Sequence, residues 1–347
     1  MFNKEIVFRG DILQTVFAKS SPYIIAEIGS NHNQDIGLAK ELIHISAECG
    51  ADAVKFQSLN LSQQYAQEAQ DGNLKNLFKQ IELDEAWYPI LADEARKAGV
   101  AFCSAPTYPG ALPLLEEVNI PFYKLGSPQI KTFPSLIKQV AALQKPVVLS
   151  VGYCNYTEIE RAVDICNLVD NKQIILLHCV SEYPTQYEKV NLHTINTLQT
   201  MFDCLVGISD HTPGYEVPCA AVALGAVLIE KHITLDRNMT GPDHHFALEP
   251  EEFKQMISAV KNVYVALGSS KKMVTTHESN FARSLVVRWF AKSNIAIGDI
   301  IGEENVMWLR SAEGISDDNY YLLGKIRATN TIQQGMPIKW EDIEQFE

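Results

Sequence analysis

The stretch Leu205–Leu248, LVGISDHTPGYEVPCAAVALGAVLIEKHITLDRNMTGPDHHFAL, decides how the chain folds. Two apolar runs in it end in polar clusters: Leu205–Ile208 leads into Ser209-Asp210-His211, and Val227–Ile229 into Glu230-Lys231-His232. Both histidines then stand at the C-terminal end of a strand. The helix-like segment between them, Val217–Leu224, has the length of a crossover, so the two strands are expected to be parallel neighbours about 5 Å apart. Two imidazoles so placed can share one metal ion at about 2.0–2.2 Å. With Asp210, Glu230 and Asp243 as nearby oxygen donors, such a site keeps open positions, which favours catalysis over a structural role. Taken singly, His211 also reads as a turn residue and His232 as a hydrogen-bonded strand end; their pairing favours the metal.

Working outward, the same rhythm of short apolar runs and amphipathic segments fills most of the chain. Strands are expected at Tyr23–Glu27, Ala53–Gln57, Ala101–Ser104, Phe122–Leu125, Pro146–Ser150, Ile174–His178, Leu205–Ile208 and Val227–His232. Helical patterns lie between them, at Ile36–Cys49, Asp84–Ala98, Pro134–Ala142, Thr157–Leu168 and Leu192–Phe202, two of them stopping at Cys49-Gly50 and Ala98-Gly99. Strand–helix alternation repeated eight times implies a parallel sheet, and eight points to a closed (β/α)8 barrel. Catalytic residues are then expected at the C-terminal ends of the strands.

Residues 1–20 read as a hairpin, with arms Glu5–Phe8 and Gln14–Phe17 around Arg9-Gly10-Asp11. The long polar segment Ser58–Leu83 interrupts the rhythm and is of the kind that forms a lid. After a last helix at Glu251–Leu267, the polar run Gly268–Ser279 lacks periodicity. The barrel domain is therefore expected at 1–267, a linker at 268–283 and a small domain at 284–347. In the small domain, short strands are read at Ala296–Gly302 and Ile332–Ile338 and a helical piece at Asp317–Leu323.

A formal charge of −13 and a pI near 5.2 argue against nucleic acid or an anionic membrane as the main partner. An anionic ligand must be held by a local basic cluster. The seven cysteines form no CxxC pair, which suits reduced thiols better than a disulfide framework. No basic-then-apolar leader and no apolar span of about 20 residues stands out, and a cytoplasmic protein is expected.

Charged residues in barrel strands are costly unless partnered. Glu27, Lys55, Lys124, His211 and His232 nevertheless fall at one end of the barrel. The two lysines with Ser127 and Ser150 make a candidate pocket for a phosphate or carboxylate. Singly, each lysine also reads as a snorkelling surface residue and each serine as a helix N-cap. Glu27 reads as a general acid or base, as a ligand for substrate hydroxyls, or as a partner for Lys55. His32 either contacts ligand or caps the first helix. Asp243 and His244 follow the turn signal Gly241-Pro242, and His178 is expected to be packed inside its strand.

These motifs resemble a known family. Ala26-Glu27-Ile28-Gly29-Ser30-Asn31-His32, Ala51-Asp52-Ala53-Val54-Lys55-Phe56-Gln57, Gly207-Ile208-Ser209-Asp210-His211-Thr212, Glu230-Lys231-His232 and Gly241-Pro242-Asp243-His244 with Leu248-Glu249-Pro250 are similar to those of N-acetylneuraminate (sialic acid) synthases. That family includes the legionaminic and pseudaminic acid synthases, and the likeness runs from about residue 20 to the C-terminus. The resemblance implies a (β/α)8 TIM barrel followed by a small antifreeze-like (SAF) domain. It implies condensation of phosphoenolpyruvate with an N-acetylated hexosamine, giving a nonulosonic acid and phosphate. It assigns a divalent metal, manganese or magnesium, to His211 and His232. Lys55, Lys124, Ser127 and Ser150 fall on phosphoenolpyruvate positions, and Glu27, Gln57, Tyr183 and Asp243 on sugar positions. Arg310, in Leu309-Arg310-Ser311-Ala312-Glu313-Gly314-Ile315, matches an arginine that a partner subunit places over the active site, which implies a domain-swapped homodimer. Ala105, Cys179 and Gln129 depart from the family's usual residues, Gln129 standing where an acid is common near the sugar.

Two rival readings stay open. One is another phosphoenolpyruvate-dependent sugar-acid synthase or an aldolase, which release of inorganic phosphate separates. The other is a non-catalytic carbohydrate-binding protein, against which Lys55, Lys124, His211 and His232 together speak. The acceptor, N-acetylmannosamine or a 2,4-diacetamido-trideoxy hexose, is left open; Gly241-Pro242-Asp243-His244 looks closer to the sialic and legionaminic branch than to the pseudaminic one.

Overall fold

The computed structural model describes residues 21–346 and, nearer the start, two short strands, β1 (Ile6–Phe8) and β2 (Asp11–Leu13). These two pair antiparallel with Phe8 opposite Asp11, so Arg9 and Gly10 alone separate the arms. The expected hairpin is present, but its second arm starts at Asp11, inside the stretch read as turn. The expected arm Gln14–Phe17 lies outside the described residues.

The eight expected strands all form: β3 (Tyr23–Gly29), β4 (Ala53–Ser58), β5 (Ala101–Pro106), β6 (Tyr123–Leu125), β7 (Val147–Ser150), β8 (Ile174–Cys179), β9 (Leu205–Asp210) and β10 (Leu228–His232). They are parallel, in the order β5-β4-β3-β10-β9-β8-β7-β6, and β5 and β6 lie side by side. Each strand thus neighbours the next in sequence and the last returns to the first, which is a nearly closed (β/α)8 barrel. Between the strands run α1 (Ile36–Cys49), α2 (Leu61–Gln64), α3 (Gly72–Ile81), α4 (Tyr88–Ala98), α5 (Ala111–Glu117), α6 (Ser127–Thr132), α7 (Pro134–Ala142), α8 (Tyr156–Leu168), α9 (Thr194–Phe202) and α10 (Glu216–Ala223), and α11 (Pro250–Leu267) follows β10. The Asp35 side chain caps the start of α1, and Gly50 and Gly99 end α1 and α4 in the left-handed region, at φ +96° and +78°. His32 therefore does not cap α1.

The period-two alternation of each strand sorts its side chains into two cores. Ile24, Ala26 and Ile28 of β3 face the helices, in one cluster with Leu42, Leu91 and Phe253. Tyr23 and Ile25 face inward with Phe122, Val148, Ile175, Leu205 and Leu228. Full burial of such a side chain contributes about 1.5–3 kcal/mol each relative to exposure. Continued two residues further, the inward row reaches Glu27, Lys55, Lys124 and Glu230, and four residues further Cys179 and Ser209. The apolar plug inside the barrel thus ends in a layer of charge.

The segment Ser58–Leu83 is more ordered than its polar composition suggested. It carries α2, a 3-10 turn at Gln67–Ala69 and α3, whose N-cap is Asp71. Its apolar residues recur at helical spacing.

The chain divides into two compact units, 1–268 and 269–347. The second begins with α12 (Thr276–Ser284), capped by a reciprocal Thr275–Glu278 pair, in part of what the sequence presented as linker. Strands β11 (Val287–Ala291) and β13 (Val306–Arg310) pair antiparallel, and β12 (Ile300–Ile301), β14 (Ile326–Ala328) and β15 (Ile343–Gln345) form a second small sheet. The expected strand Ile332–Ile338 is reduced to isolated bridges, Ile295 with Ile332 and Phe290 with Pro337. Here turns dominate the backbone and alternation is a weak guide. Asp317–Leu322 is 3-10 helical, and Trp289, Ile301, Ile326 and Ile338 centre this unit's own core.

Candidate active site

The parallel ladders place the charged layer. Glu27 of β3 sits opposite Lys55 of β4 on one side and His232 of β10 on the other, and Ser209 of β9 sits between Glu230 and Cys179. Lys55 Nζ is 2.6 Å from Glu27 Oε2 and 3.8 Å from Glu230 Oε1, and Lys124 Nζ is 3.0 Å from the same Glu230 oxygen. Ser209 Oγ donates to Glu230 Oε1 at 2.9 Å, and Gln57 Nε2 donates to Glu27 Oε1 at 2.8 Å. Lys55 and Lys124 are only 1% and 5% exposed, so neither snorkels to the surface. Two acids and two lysines form one buried quartet.

Burial and charged neighbours together move three of these groups in different directions. Burial raises the Glu27 carboxyl to about 7, helped by the Glu230 charge and opposed by Lys55, Lys124 and Gln57. Burial acts the same way on Glu230, but Lys124, Lys55 and Ser209 outweigh it and hold that carboxyl near 2. Burial lowers Lys55, yet Glu230 and Glu27 prevail and its ammonium is held above its usual range. Two carboxyls pushed apart in this way commonly mark a proton-transfer site.

The quartet opens into a cleft of about 360 Å³ at the C-terminal ends of the strands, the face where barrel active sites lie. Glu27, Lys55, Gln57, Lys124, Ser127, Ser150, Tyr183, His211 and His232, nine of the sequence-predicted residues, line it together. Ser150 Oγ is buried there without a hydrogen-bond partner, as suits a hydroxyl awaiting an anion. Cys179 is also present; burial raises its thiol, but His211, Lys124 and Ser127 outweigh this and hold it below the usual range.

His211 and His232 meet with ring centroids 5.5 Å apart. His211 Nδ1 is 2.9 Å from the Val180 carbonyl, which fixes its proton there and leaves the Nε2 lone pair available to a ligand or a metal. His232 Nδ1 is buried with no hydrogen-bond partner, and burial lowers its imidazole to about 4, so it is neutral at pH 7 as a metal ligand must be. The Tyr183 ring lies 4.3 Å from that of His211 and 5.4 Å from that of Phe246.

Three expectations are corrected. Asp210, read as an oxygen donor beside the histidines, points to the outer side of the sheet and binds Lys231, whereas Glu230 stays in the cleft, with Oε1 on Lys124 and Oε2 without a hydrogen-bond partner. Alternation along β9 and β10 puts Asp210 and Lys231 on the face opposite the cleft. His32 is buried against Phe56 and Trp87, accepts from the Gln34 amide at Nδ1, and is driven down to about 4 by burial, so it serves packing. Asp243 lies in a turn, but a partly buried one rather than a solvent-exposed one; its Oδ2 accepts from Ser30 N at 3.1 Å and Ser30 Oγ at 2.8 Å. His178 is packed as expected, its Nε2 bonded to the Val190 carbonyl. Arg310 is exposed on β13 in the second unit.

Gly29, at φ +54°, sits where these groups converge. A Cβ there would lie 2.8 Å from Asp243 Oδ2, 3.3 Å from Glu27 Oε1 and 3.4 Å from His232 Cε1. The outer wall of the cleft is formed by Leu59, Tyr65 and one face of α3, all within the segment Ser58–Leu83, although the sequence marks none of these residues individually.

Comparison with known proteins agrees with this geometry. A curated N,N'-diacetyllegionaminic acid synthase of Campylobacter jejuni is 40% identical over 324 residues, covering 88% of this chain and 96% of that protein. A pseudaminic acid synthase of Helicobacter pylori is 36% identical over 338 residues, covering 93% and 98%. The crystal structure of N-acetylneuraminic acid synthetase from Leptospira borgpetersenii, in complex with citrate, superposes with a TM-score of 0.74 at 31% identity, covering 81% of this chain and 96% of the other. Residues 42–272 match the NeuB family, and with relatives this similar over nearly their whole length, the chain belongs to that family.

Proposed function

We propose that this protein condenses phosphoenolpyruvate with the open-chain form of an N-acetylated hexosamine, giving a nonulosonic acid and phosphate. The observation that carries the reading is the convergence of a buried lysine pair, two serine hydroxyls and two histidines on one cleft. The names of the relatives supply the substrate class.

Lys55 and Lys124 hold the phosphate and carboxylate charges, and Ser127 and Ser150 donate to their oxygens. Gln57, Tyr183 and Glu27 line the side where the sugar lies. C3 of phosphoenolpyruvate bonds to the aldehyde carbon, and the aldehyde oxygen takes a proton to become a hydroxyl. Water adds at C2 and loses a proton, and the C2–O bond to phosphate breaks as the C2 carbonyl forms. Glu27, with its proton affinity near neutrality, gives and takes these protons.

The residues present fit a divalent cation. The neutral His232 ring and the Nε2 of His211 are two nitrogen donors on one wall, and among the described residues no third His, Cys, Asp or Glu completes a closed cage. Manganese or magnesium held by His211 and His232 would act there as a Lewis acid toward the aldehyde.

The finer assignments follow the family resemblance: an SAF-type second domain, a domain-swapped homodimer, and Arg310 of a second copy over the cleft. A cytoplasmic setting is supported by seven free cysteines, and no helix among the described residues is long and apolar enough to cross a membrane.

The test is phosphate release from phosphoenolpyruvate by purified, manganese-loaded protein, with N-acetylmannosamine and with 2,4-diacetamido-trideoxy hexoses. Turnover with at least one sugar is expected, lost on chelation, restored by manganese and abolished in His232→Ala. Pyruvate-forming cleavage without phosphate release would favour an aldolase. Full turnover in metal-stripped protein would remove the histidine pair from the chemistry.

A further inference from the structure

Helix α3 is amphipathic in an unusual direction. Leu74, Leu77, Phe78 and Ile81 recur at i, i+3, i+4 and i+7, which puts them on one face, while Lys75 and Lys79 lie off it. In a surface helix such a face normally packs on the core. Here all four line the cleft, and among the described residues none belongs to either barrel core. Leu77 is 42% exposed, and Tyr65, packed edge-on to Phe78 with centroids 5.7 Å apart, is 41% exposed. An apolar wall thus stands over a floor of ionised groups.

The segment spanning α2 and α3 carries Glu68, Asp71, Lys75 and Lys79, yet every residue it gives to the cleft is uncharged. Beside the wall stand two neutral amides, Gln64 and Gln129. A wall of this kind stabilises methyl groups, and a hydroxyl pressed against it loses water without gaining a partner. Neutral amides pair with amides.

We propose that α3 and Tyr65 form an acceptor-selecting wall that favours a sugar with a methyl at C6 and a second acetamido group over one with hydroxyls at C4 and C6. This specificity rests on the amino-sugar substrate of the reading proposed above. The aldehyde end of the open-chain sugar is tied to the histidines and Glu27, so its far end, C4 to C6, extends from the charged floor toward the mouth. The occupant of the wall is the substrate because wall and floor belong to one continuous cleft.

The test compares full-length, manganese-loaded protein with Leu77→Gln and Leu74→Gln. Leu77 is exposed enough for its variant to fold. The readout is the ratio of kcat/KM for a 2,4-diacetamido-2,4,6-trideoxy hexose to that for N-acetylmannosamine. Calorimetric binding of the two reduced sugars, the alditols, which cannot react, is measured alongside. The wild-type ratio is expected to reach on the order of 100 and to fall about tenfold in Leu77→Gln. A wild-type ratio near one, an equal loss for both sugars, or a Leu77→Gln variant whose sedimentation mass changes overturns the wall, the last by making the stripe an interface between copies. If neither sugar releases phosphate but the trideoxy alditol binds more tightly in a Leu77-dependent way, the wall stands and the condensation falls.

Discussion

Lys231 Nζ lies 2.6 Å from Asp210 Oδ2, and these two residues immediately precede the two histidines of the cleft, His232 and His211. They are register partners on β10 and β9. Lys231 also donates to the Thr212 carbonyl, and Thr212 donates from N and Oγ1 to Asp210. The pair is buried on the outer face of the sheet, so it ties together the backbones that carry the imidazoles without entering the cleft.

Removing one partner of such a pair leaves an uncompensated buried charge. Lys231→Met is expected to lose about 3–5 kcal/mol of stability in urea unfolding. Asp210→Asn combined with Lys231→Met should recover much of that loss, because neither charge is then stranded. A double variant no more stable than the single one would show that the pair is not a unit.

Glu27 carries a signed pH dependence. Its carboxyl is raised by burial from an unfolded value of 4.5 to about 7, so between these pH values the folded state binds more protons than the unfolded state. Its contribution is fully present below about 4.5 and is lost as pH rises through 7. Glu27→Gln removes the titration. In chelator-treated protein, unfolding free energy measured at pH 5, 6, 7 and 8 should fall with pH more steeply in the wild type than in the variant, by up to about 1.4 kcal/mol per pH unit. Parallel curves would show that Glu27 is ionised throughout.

Gly29→Ala probes the point where Asp243, Glu27 and His232 meet. At φ +54° an alanine is strained, and its methyl falls 2.8 Å from Asp243 Oδ2. A cost of about 1–3 kcal/mol is expected. Turnover should drop as well, since relief requires Asp243 to leave Ser30 or Glu27 and His232 to shift. Wild-type kinetics in a merely destabilised variant would confine Gly29 to a backbone role.

The barrel was readable because strand alternation and crossover length are local signals. Strand position alone puts Glu27 and Lys55 at one end of the barrel; that they face inward, in line with Ile25 and Ala53, is decided by the fold. The partners of the charges were not readable. Nothing local says that Glu230 turns to Lys124 while Asp210, one strand away, turns outward to Lys231; the ladder register decides that. His32 was ambiguous because Phe56 and Trp87, the rings that bury it, come from distant segments. The α3 stripe is plain at Leu74, Leu77, Phe78 and Ile81, yet the sequence does not reveal that the face it covers is a cleft. In the second unit short strands between turns hid β11, β13, β14 and β15, where core residues such as Trp289 are widely spaced.

The buried lysine pair at the bottom of the cleft has a kinetic consequence. The chain as a whole carries a formal charge of −13, so a phosphate-bearing substrate approaches against long-range repulsion and is attracted only after it has entered. Mobile ions screen the first effect over about 8–10 Å and barely reach the second. Encounter and capture are thus governed by charges of opposite sign at different depths. Added salt should speed the association of such an anion, the reverse of what a cationic funnel at the surface produces.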